Sequence, residues 1–475
     1  MMTPRLPSSA ATVTTAETLA ECKIAVRSFQ MTHPGVPVFV ACTTPEVQAA
    51  MAGPGVTALL MPLEPLPAAV KLHNVYHRPD AIRLKMAIMR AVLTDPRQCH
   101  DVLFFDADLI FQAPVFISAH EADVMLSLNL SVTPDMQRTV AQFGLFNAGL
   151  VWTRSLEFVD WWEREYLDPS KPGAFYEQTA LGLAPAKFAT DYFPTWHNWG
   201  FWRGGLGKRQ VGSFHVHLGD GLFMTDYIRK GTLALRPAVW SRMRPELASF
   251  AHDALGHPKR VFFIHYGKAA GVYTDRAFRT ILRGYDHHNS WQAPHSLGRD
   301  WTPEELRAIL TREDEGCHYL HQHHSSLTRE QVELAKANGW RTVMFYRDPR
   351  AILCSLYHFG LRIIRERGKV LILGEETADL GTWDEFFTRA LAPENRRLWA
   401  LPEWAGLVDH CQIFSEAALD AVMQELTGSL HLPMPPANAS ENPGWQQMLT
   451  EEQAARLAEL PEYQASIEWI NQRTS

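Results

Sequence analysis

Short apolar runs alternate with amphipathic stretches along the first half of the chain. "VPVFVACTT" (36–44) predicts a strand and "PDAIRLKMAIMRAVL" (79–93) an amphipathic helix, while "DVLFFDADLIF" (101–111) predicts a buried strand. "ADVMLSLN" (122–129) and "GLFNAGLVWT" (144–153) predict two more strands, followed by a Trp-rich helix around "LEFVDWWEREYL". This alternation fits an α/β fold with an open, largely parallel sheet. "MRPELASFAHDALGHPK" (243–259) predicts a terminal helix and a short linker, after which the pattern restarts. The second half then predicts a strand at 261–265, a helix at 274–284, a polar loop rich in Trp and His, helices at 302–311 and 328–338, a strand "RTVMFYR" (341–347), a helix from Pro349, and a mostly helical region from about 375. The expected class is therefore α/β with two domains, about 10–250 and 258–475, without internal repeats.

Length agrees with this division, since 475 residues exceed one ordinary core. With 46% hydrophobic and 20% charged residues the chain has the composition of a globular protein. A net charge of -7 argues against general nucleic-acid affinity. Six scattered cysteines without a C-x-x-C pair favour a reducing compartment and supply no thiolate zinc site. The segment "MMTPRLPSSAATVTT" lacks the apolar core of a signal peptide, and no run approaches a membrane span, so the expected location is cytoplasmic.

In "VLFFDADLIF" two carboxylates, Asp106 and Asp108, stand two apart where a buried apolar strand gives out. Alternation along a strand would point both to one face at the carboxyl edge, where open α/β sheets bind ligands. Like charges this close are costly unless a cation lies between them. The pair is thus either a solvated strand end or a site for a hard divalent ion such as Mn2+ or Mg2+, which would also bind a diphosphate.

The wider stretch "YHRPDAIRLKMAIMRAVLTDPRQCHDVLFFDADLIF" resembles nucleotide-sugar glycosyltransferases of the GT-A fold, in which a Lys-bearing helix precedes the strand ending in a D-x-D metal motif. "GLFNAGLVWTR", "AFYEQTALGL", "HNWGFWR" and "SFHVHLGDG" continue the resemblance over about 200 residues. It implies a metal held by Asp106, Asp108 and His215 or His217. It also implies a sugar and acceptor pocket lined by Asn147, Glu177, Gln178 and Asn198, with Lys85 on the nucleotide side. The chain carries Glu177 where the family usually has Asp, and Leu218 intervenes before Gly219.

In the second half, "RVFFIHYGKAAGVYTDRAFR" (260–279) reads as a strand, a Gly-Lys turn and a helix, an arrangement that holds anions against free backbone N–H groups. No Ser or Thr follows Lys268, so this is not the nucleoside-triphosphate P-loop. "VMFYRDPRAILCSLYHF" (343–359) places Arg347 at a strand exit and Ser355 eight residues later in a helix. The two are either a pair gripping one phosphate or a surface Arg and a helix Ser.

R-D-P, the Ser eight residues past the Arg and the "YHF" that follows resemble the 3′-phosphate motif of sulfotransferases, and "FIHYGKAAG" resembles their 5′-phosphosulfate loop. The resemblance covers about 258–475 and implies a P-loop-like sulfotransferase domain using 3′-phosphoadenosine 5′-phosphosulfate (PAPS). It implies a cofactor site of His265, Gly267, Lys268, Gly271, Tyr273, Thr274, Arg347 and Ser355, with Lys268 catalytic. Such enzymes place a catalytic His about two dozen residues before the Arg. In "CHYLHQHHSSLTREQ" (317–331) that implies His323, with His321 and His324 beside it, unless these histidines merely begin a helix. The late "NPGWQQMLTEEQAARL" resembles the family's end but offers Asn442 and no cation in place of its basic Arg-Lys-Gly, which implies either weakened cofactor affinity or compensation by Arg279, Arg350 or Arg362.

The expected function is bifunctional: metal-dependent sugar transfer from a nucleotide sugar, and sulfuryl transfer from PAPS to a hydroxyl of a glycan or related acceptor. The alternatives are one active domain beside a degenerate scaffold, or a non-catalytic glycan- or nucleotide-binding adaptor.

Overall fold

In the computed structural model of the chain the described residues are 5–64, 79–95, 99–117, 121–129, 144–171, 177–203, 206, 209–219, 226–266, 271–289, 301–312, 316–324, 327–373, 375–429 and 445–474. They form two compact units, Met1–Gly256 and His257–Ser475. Among them no helix is long and apolar enough to cross a membrane.

The first unit runs β1 (Ala10–Thr14), α1 (Leu19–Thr32), β2 (Val38–Cys42), α2 (Pro45–Met51), β3 (Val56–Leu60), α3 (Pro79–Leu93), β4 (Val102–Phe105), β5 (Leu109–Phe111), β6 (Val124–Leu128) and β7 (Phe146–Thr153). It continues through α4 (Leu156–Leu167), α5 (Glu177–Leu181), β8 (Thr190–Tyr192), β9 (Ser213–His215), α6 (Asp226–Arg242) and α7 (Pro245–Ala254). Seven strands form one sheet in the order β3-β2-β1-β4-β7-β6-β8. Its β3-β2-β1-β4 half is parallel, and β7 runs antiparallel to both β4 and β6.

Period-two alternation explains how this sheet is buried on both sides. Phe39, Ala41, Val102 and Phe104 pack against Met86, Met89, Phe158 and Trp162 of α3 and α4. Val38, Val40, Leu103 and Phe105 pack against Cys22, Val26, Phe29 and Val47 of α1 and α2. Because β1 is flanked by β2 on one side and β4 on the other, a crevice opens at the carboxyl ends of β1 and β4.

The second unit begins with β10 (Arg260–His265), α8 (Gly271–Ile281), β11 (Asp286–Asn289), α9 (Pro303–Leu310), β12 (His318–His323), α10 (Arg329–Ala337), β13 (Arg341–Tyr346) and α11 (Pro349–Arg367). After a small hairpin (Val370–Ile372 with Glu375–Thr377) and further helices, Trp383–Ala390 among them, His410–Ile413 supplies the last strand of the main sheet. That sheet is wholly parallel, with β10 central between β12 and β13, β11 outside β12, and His410–Ile413 outside β13.

Two expectations change. The single strand expected over 101–111 is two, because the Leu109 N–H bonds Asp106 O at 3.0 Å and turns the chain between them. β5 then leaves the main sheet and pairs antiparallel with β9. The segment 243–259 holds the expected helix and linker: α7 starts at Pro245, which suits a first helical turn, and ends at Ala254, ahead of β10. The histidines of 317–331 do not begin a helix. Four of the segment's first residues, His318, Tyr319, Leu320 and His321, are buried on β12 in register with β10.

Candidate functional site

Asp106 and Asp108 follow β4 at the crevice between β1 and β4, on a turn rather than on an alternating strand. β9 pairs with β5 so that His215 stands opposite Leu109, next to both carboxylates. One ligating atom from each of Asp106, Asp108 and His215 lies within 4.8 Å of the other two. His215 Nε2 is 3.1 Å from Asp108 Oδ2 and 3.9 Å from Asp106 Oδ2. Two carboxylates and an imidazole suit a divalent cation with mixed oxygen and nitrogen preference.

Lys85, from α3, is buried with its Nζ 2.8 Å from Asp106 Oδ1 and 3.4 Å from Glu177 Oε1. Burial alone would lower its pKa, but the Asp106 and Glu177 charges hold it above its usual value. With Oδ1 taken by Lys85, Asp106 turns Oδ2 toward His215. Burial pushes Asp108 up, and the neighbouring His215 and His217 outweigh it and hold its carboxyl well below the usual range.

The two histidines left open by the sequence have different settings. His215 Nδ1 contacts Asn198 Oδ1 at 2.8 Å, which leaves Nε2 for the carboxylates. His217 Nδ1 contacts Glu21 Oε2 at 3.0 Å while its Nε2 lies 3.4 Å from Asp108 Oδ2. Burial pulls the His217 pKa down, yet Asp108 and Glu21 raise it to about 10. Glu21, on α1, also accepts the Gly219 N–H at 2.8 Å. Its pairing partners lie almost two hundred residues away in sequence, and no local pattern announces it.

Of the residues expected to line a sugar and acceptor pocket, Asn147, Gln178 and Glu177 are buried, and Asn198 is fully so. Gln178 Oε1 accepts the Ala148 N–H at 3.3 Å. The glycine of the Asn-Ala-Gly run has a steric reason. A Cβ on Gly149 would lie 2.6 Å from His215 Cε1 and 2.8 Å from both Asn147 Oδ1 and Asp106 Oδ2. Glycine inside a strand marks such close approach, a signal present in the sequence.

In the second unit, β10 is the first strand and its neighbours lie on both sides, so its carboxyl end is a switch point of the sheet. His265 ends β10 in register with His323 of β12, their rings 5.3 Å apart edge to face. Gly267 and Lys268 lie outside the described residues, and of Gly271 only its helical backbone is described. Thr274 is fully buried in the first turn of α8, and its Oγ1 has no hydrogen-bond partner among the described residues. Tyr273 is buried edge-on to Phe414.

The four histidines separate clearly. His321 Nδ1 lies 3.1 Å from Asp275 Oδ1, which also accepts the Tyr319 hydroxyl at 2.8 Å. His324 stacks on Tyr266 with centroids 3.9 Å apart, and its ring nitrogens face the carbonyls of His265 and Arg397. Burial lowers its pKa to about 3. His323 is the half-exposed one of the set, whereas His318, His321 and His324 are buried.

Arg347 is exposed just past β13, and no carboxylate among the described residues pairs with it. The Asp-Pro that follows is a helix start: Asp348 caps α11 by accepting the Arg350 N–H at 2.9 Å, and Pro349 takes the first turn. Ser355 is half-buried in α11. Of the arginines offered as substitutes, Arg279 is committed to Asp275 at 2.9 Å. Arg350 is paired with Asp348 and lies 3.8 Å over the Trp445 ring. Asn442 lies outside the described residues.

No family model matches the chain, and neither does any curated protein. Solved structures do match parts of it. The galactosyltransferase LgtC, in complex with donor and acceptor sugar analogs, is 12% identical over 44% of this chain and 86% of its own, with a TM-score of 0.34. The apo glycosyltransferase GlyE of Streptococcus pneumoniae is 10% identical over 72% of this chain and 91% of its own, with a TM-score of 0.33. The bifunctional glycosyltransferase WbbM is 10% identical over 45% of this chain and 46% of its own, with a TM-score of 0.30. TM-scores of this size do not establish a shared fold.

Proposed function

We propose that the first unit transfers a sugar from a nucleotide sugar to a hydroxyl acceptor, with Mn2+ or Mg2+ held by Asp106, Asp108 and His215. The observation that carries this reading is the convergence of those three ligand atoms within 4.8 Å at the β1/β4 crevice. A bound ion would neutralise the diphosphate as it leaves. Lys85 fixes Asp106 and Glu177 relative to one another, and Glu177 and Gln178 line the side facing sugar and acceptor. Melting the full chain with UDP-sugars, with and without Mn2+, tests this, since a ligand binding only the folded state raises the transition.

For the second unit we propose sulfuryl transfer from PAPS. Three features support it: the switch point at the end of β10, the exposed Arg347 with no carboxylate partner among the described residues, and the half-exposed His323 beside His265. The acceptor hydroxyl oxygen would bond to sulfur while the bond from sulfur to the bridging phosphate oxygen breaks, its electron pair staying on the phosphate. His323 would take the hydroxyl proton. Lys268 would neutralise the bridging oxygen, and Arg347 with Ser355 would hold the 3′-phosphate. The same melting experiment with 3′-phosphoadenosine 5′-phosphate should raise the transition in wild type and not in Arg347→Ala.

A further inference from the structure

Asn198 is an unusual residue for a pocket wall. It has no exposed surface, and at φ 58° it occupies the left-handed region that few non-glycine residues adopt. Its four hydrogen bonds have polarities that can be read from one fixed donor. The Gly149 backbone N–H must donate, so the Asn147 side-chain atom 2.8 Å from it is the oxygen. That same oxygen lies 2.9 Å from an Asn198 side-chain atom, which must therefore be the amide nitrogen. The nitrogen also donates to Ser127 Oγ at 3.0 Å. The atom left over is Oδ1, an acceptor only, so the His215 Nδ1 at 2.8 Å must carry a hydrogen. Ser213 Oγ accepts the Asn198 N–H at 2.8 Å and holds the backbone in place.

We infer that Asn198, oriented by Asn147 and Ser127, is a positioning residue for His215: it holds the proton on Nδ1 and thereby presents the Nε2 lone pair to the cation. This rests on the metal-dependent reading above, and it moves Asn147 and Asn198 from sugar contacts to support of the third ligand. It also accounts for the strained backbone, because a left-handed asparagine is what brings Oδ1 onto His215 while Nδ2 reaches Asn147. Groups that fix the far nitrogen of a metal-binding histidine typically change metal affinity by about 10- to 100-fold.

The test uses the full-length protein, free of metal, with two readouts. Mn2+ affinity is measured from the electron paramagnetic resonance of the free ion for wild type, Asn198→Gly and His215→Ala. Glycine tolerates positive φ, so Asn198→Gly removes the acceptor without adding strain. We expect Asn198→Gly to weaken Mn2+ binding about 10- to 100-fold, and His215→Ala to weaken it at least as much. In parallel, nitrogen-15 spectra of labelled histidine, with the His215 signal assigned by its loss in His215→Ala, should show a protonated Nδ1. Unchanged Mn2+ affinity in Asn198→Gly, or a bare Nδ1 on His215, overturns the inference. If wild type binds no Mn2+, the metal-dependent reading fails, and the Nδ1 signal alone then decides whether the Asn198 contact sets the tautomer.

Discussion

Lys85 and Asp106 form a largely buried ion pair, Nζ to Oδ1 at 2.8 Å, and the same ammonium reaches Glu177 at 3.4 Å. One cation therefore holds two carboxylates in place before any metal is bound. Lys85→Met would remove that cation from both, and losing one partner of a buried pair costs about 3–5 kcal/mol. We expect the variant's denaturant midpoint to fall accordingly and to recover in part with Mn2+, which restores positive charge beside Asp106. An unchanged midpoint would show that the pair contributes nothing.

Gly149→Ala tests the packing of the site separately from its charges. The added methyl would press on His215, Asn147 and Asp106 together. We expect Mn2+ affinity to fall by roughly tenfold or more, the scale of disturbing a ligand's support. Affinity equal to wild type would mean that β7 moves away at no cost.

How much of this was legible in the sequence depends on the range of the contact. Asp106 and Asp108 stand out because two carboxylates break an apolar run, α3 because its amphipathic periodicity is strong, and β7 because it is a largely apolar run. The choice between His215 and His217 was not legible, since Asn198 and Glu21 make it, and these come from distant segments. β12 was missed because His318, His321 and Gln322 interrupt the apolar pattern that marks a buried strand. At least His321 is accommodated there by a carboxylate, Asp275, from a neighbouring helix. Asp286–Asn289, four polar residues, forms the edge strand of that sheet, where the outer side needs no apolar cover.

Acid should destabilise the first unit through two histidines. Burial lowers His33 and His197 to about 4, and His33 Nε2 accepts the Val115 N–H at 2.7 Å, so it must stay unprotonated there. Unfolded, each would titrate near 6.5, so between those values the unfolded chain binds more protons. The stabilisation is complete above the unfolded value and is lost as pH falls toward about 4. Each histidine contributes at most roughly 3 kcal/mol to this slope. Urea unfolding followed from neutral pH into mild acid should show the loss, and a flat profile would contradict it.

In the second unit the histidines should separate by phenotype. His323→Asn should lower sulfuryl transfer by roughly two to four powers of ten, the scale of losing a general base, and remove the low-pH limb of the rate profile. His324→Asn should act mainly on stability, because its ring is buried against Tyr266 between backbone carbonyls. Turnover kinetics beside thermal melts of both variants check this, and an active His323→Asn would remove that residue from the chemistry.

The central claim is that the carboxylates after β4 bind a divalent ion needed for the nucleotide sugar. The most direct measurement is the UDP-induced rise in melting temperature, with Mn2+ and with chelator, for wild type and Asp108→Asn. We expect a rise in wild type only with Mn2+, and none in Asp108→Asn under either condition although that variant melts cooperatively. An equal rise with chelator, or a full Mn2+-dependent rise in Asp108→Asn, would contradict the claim.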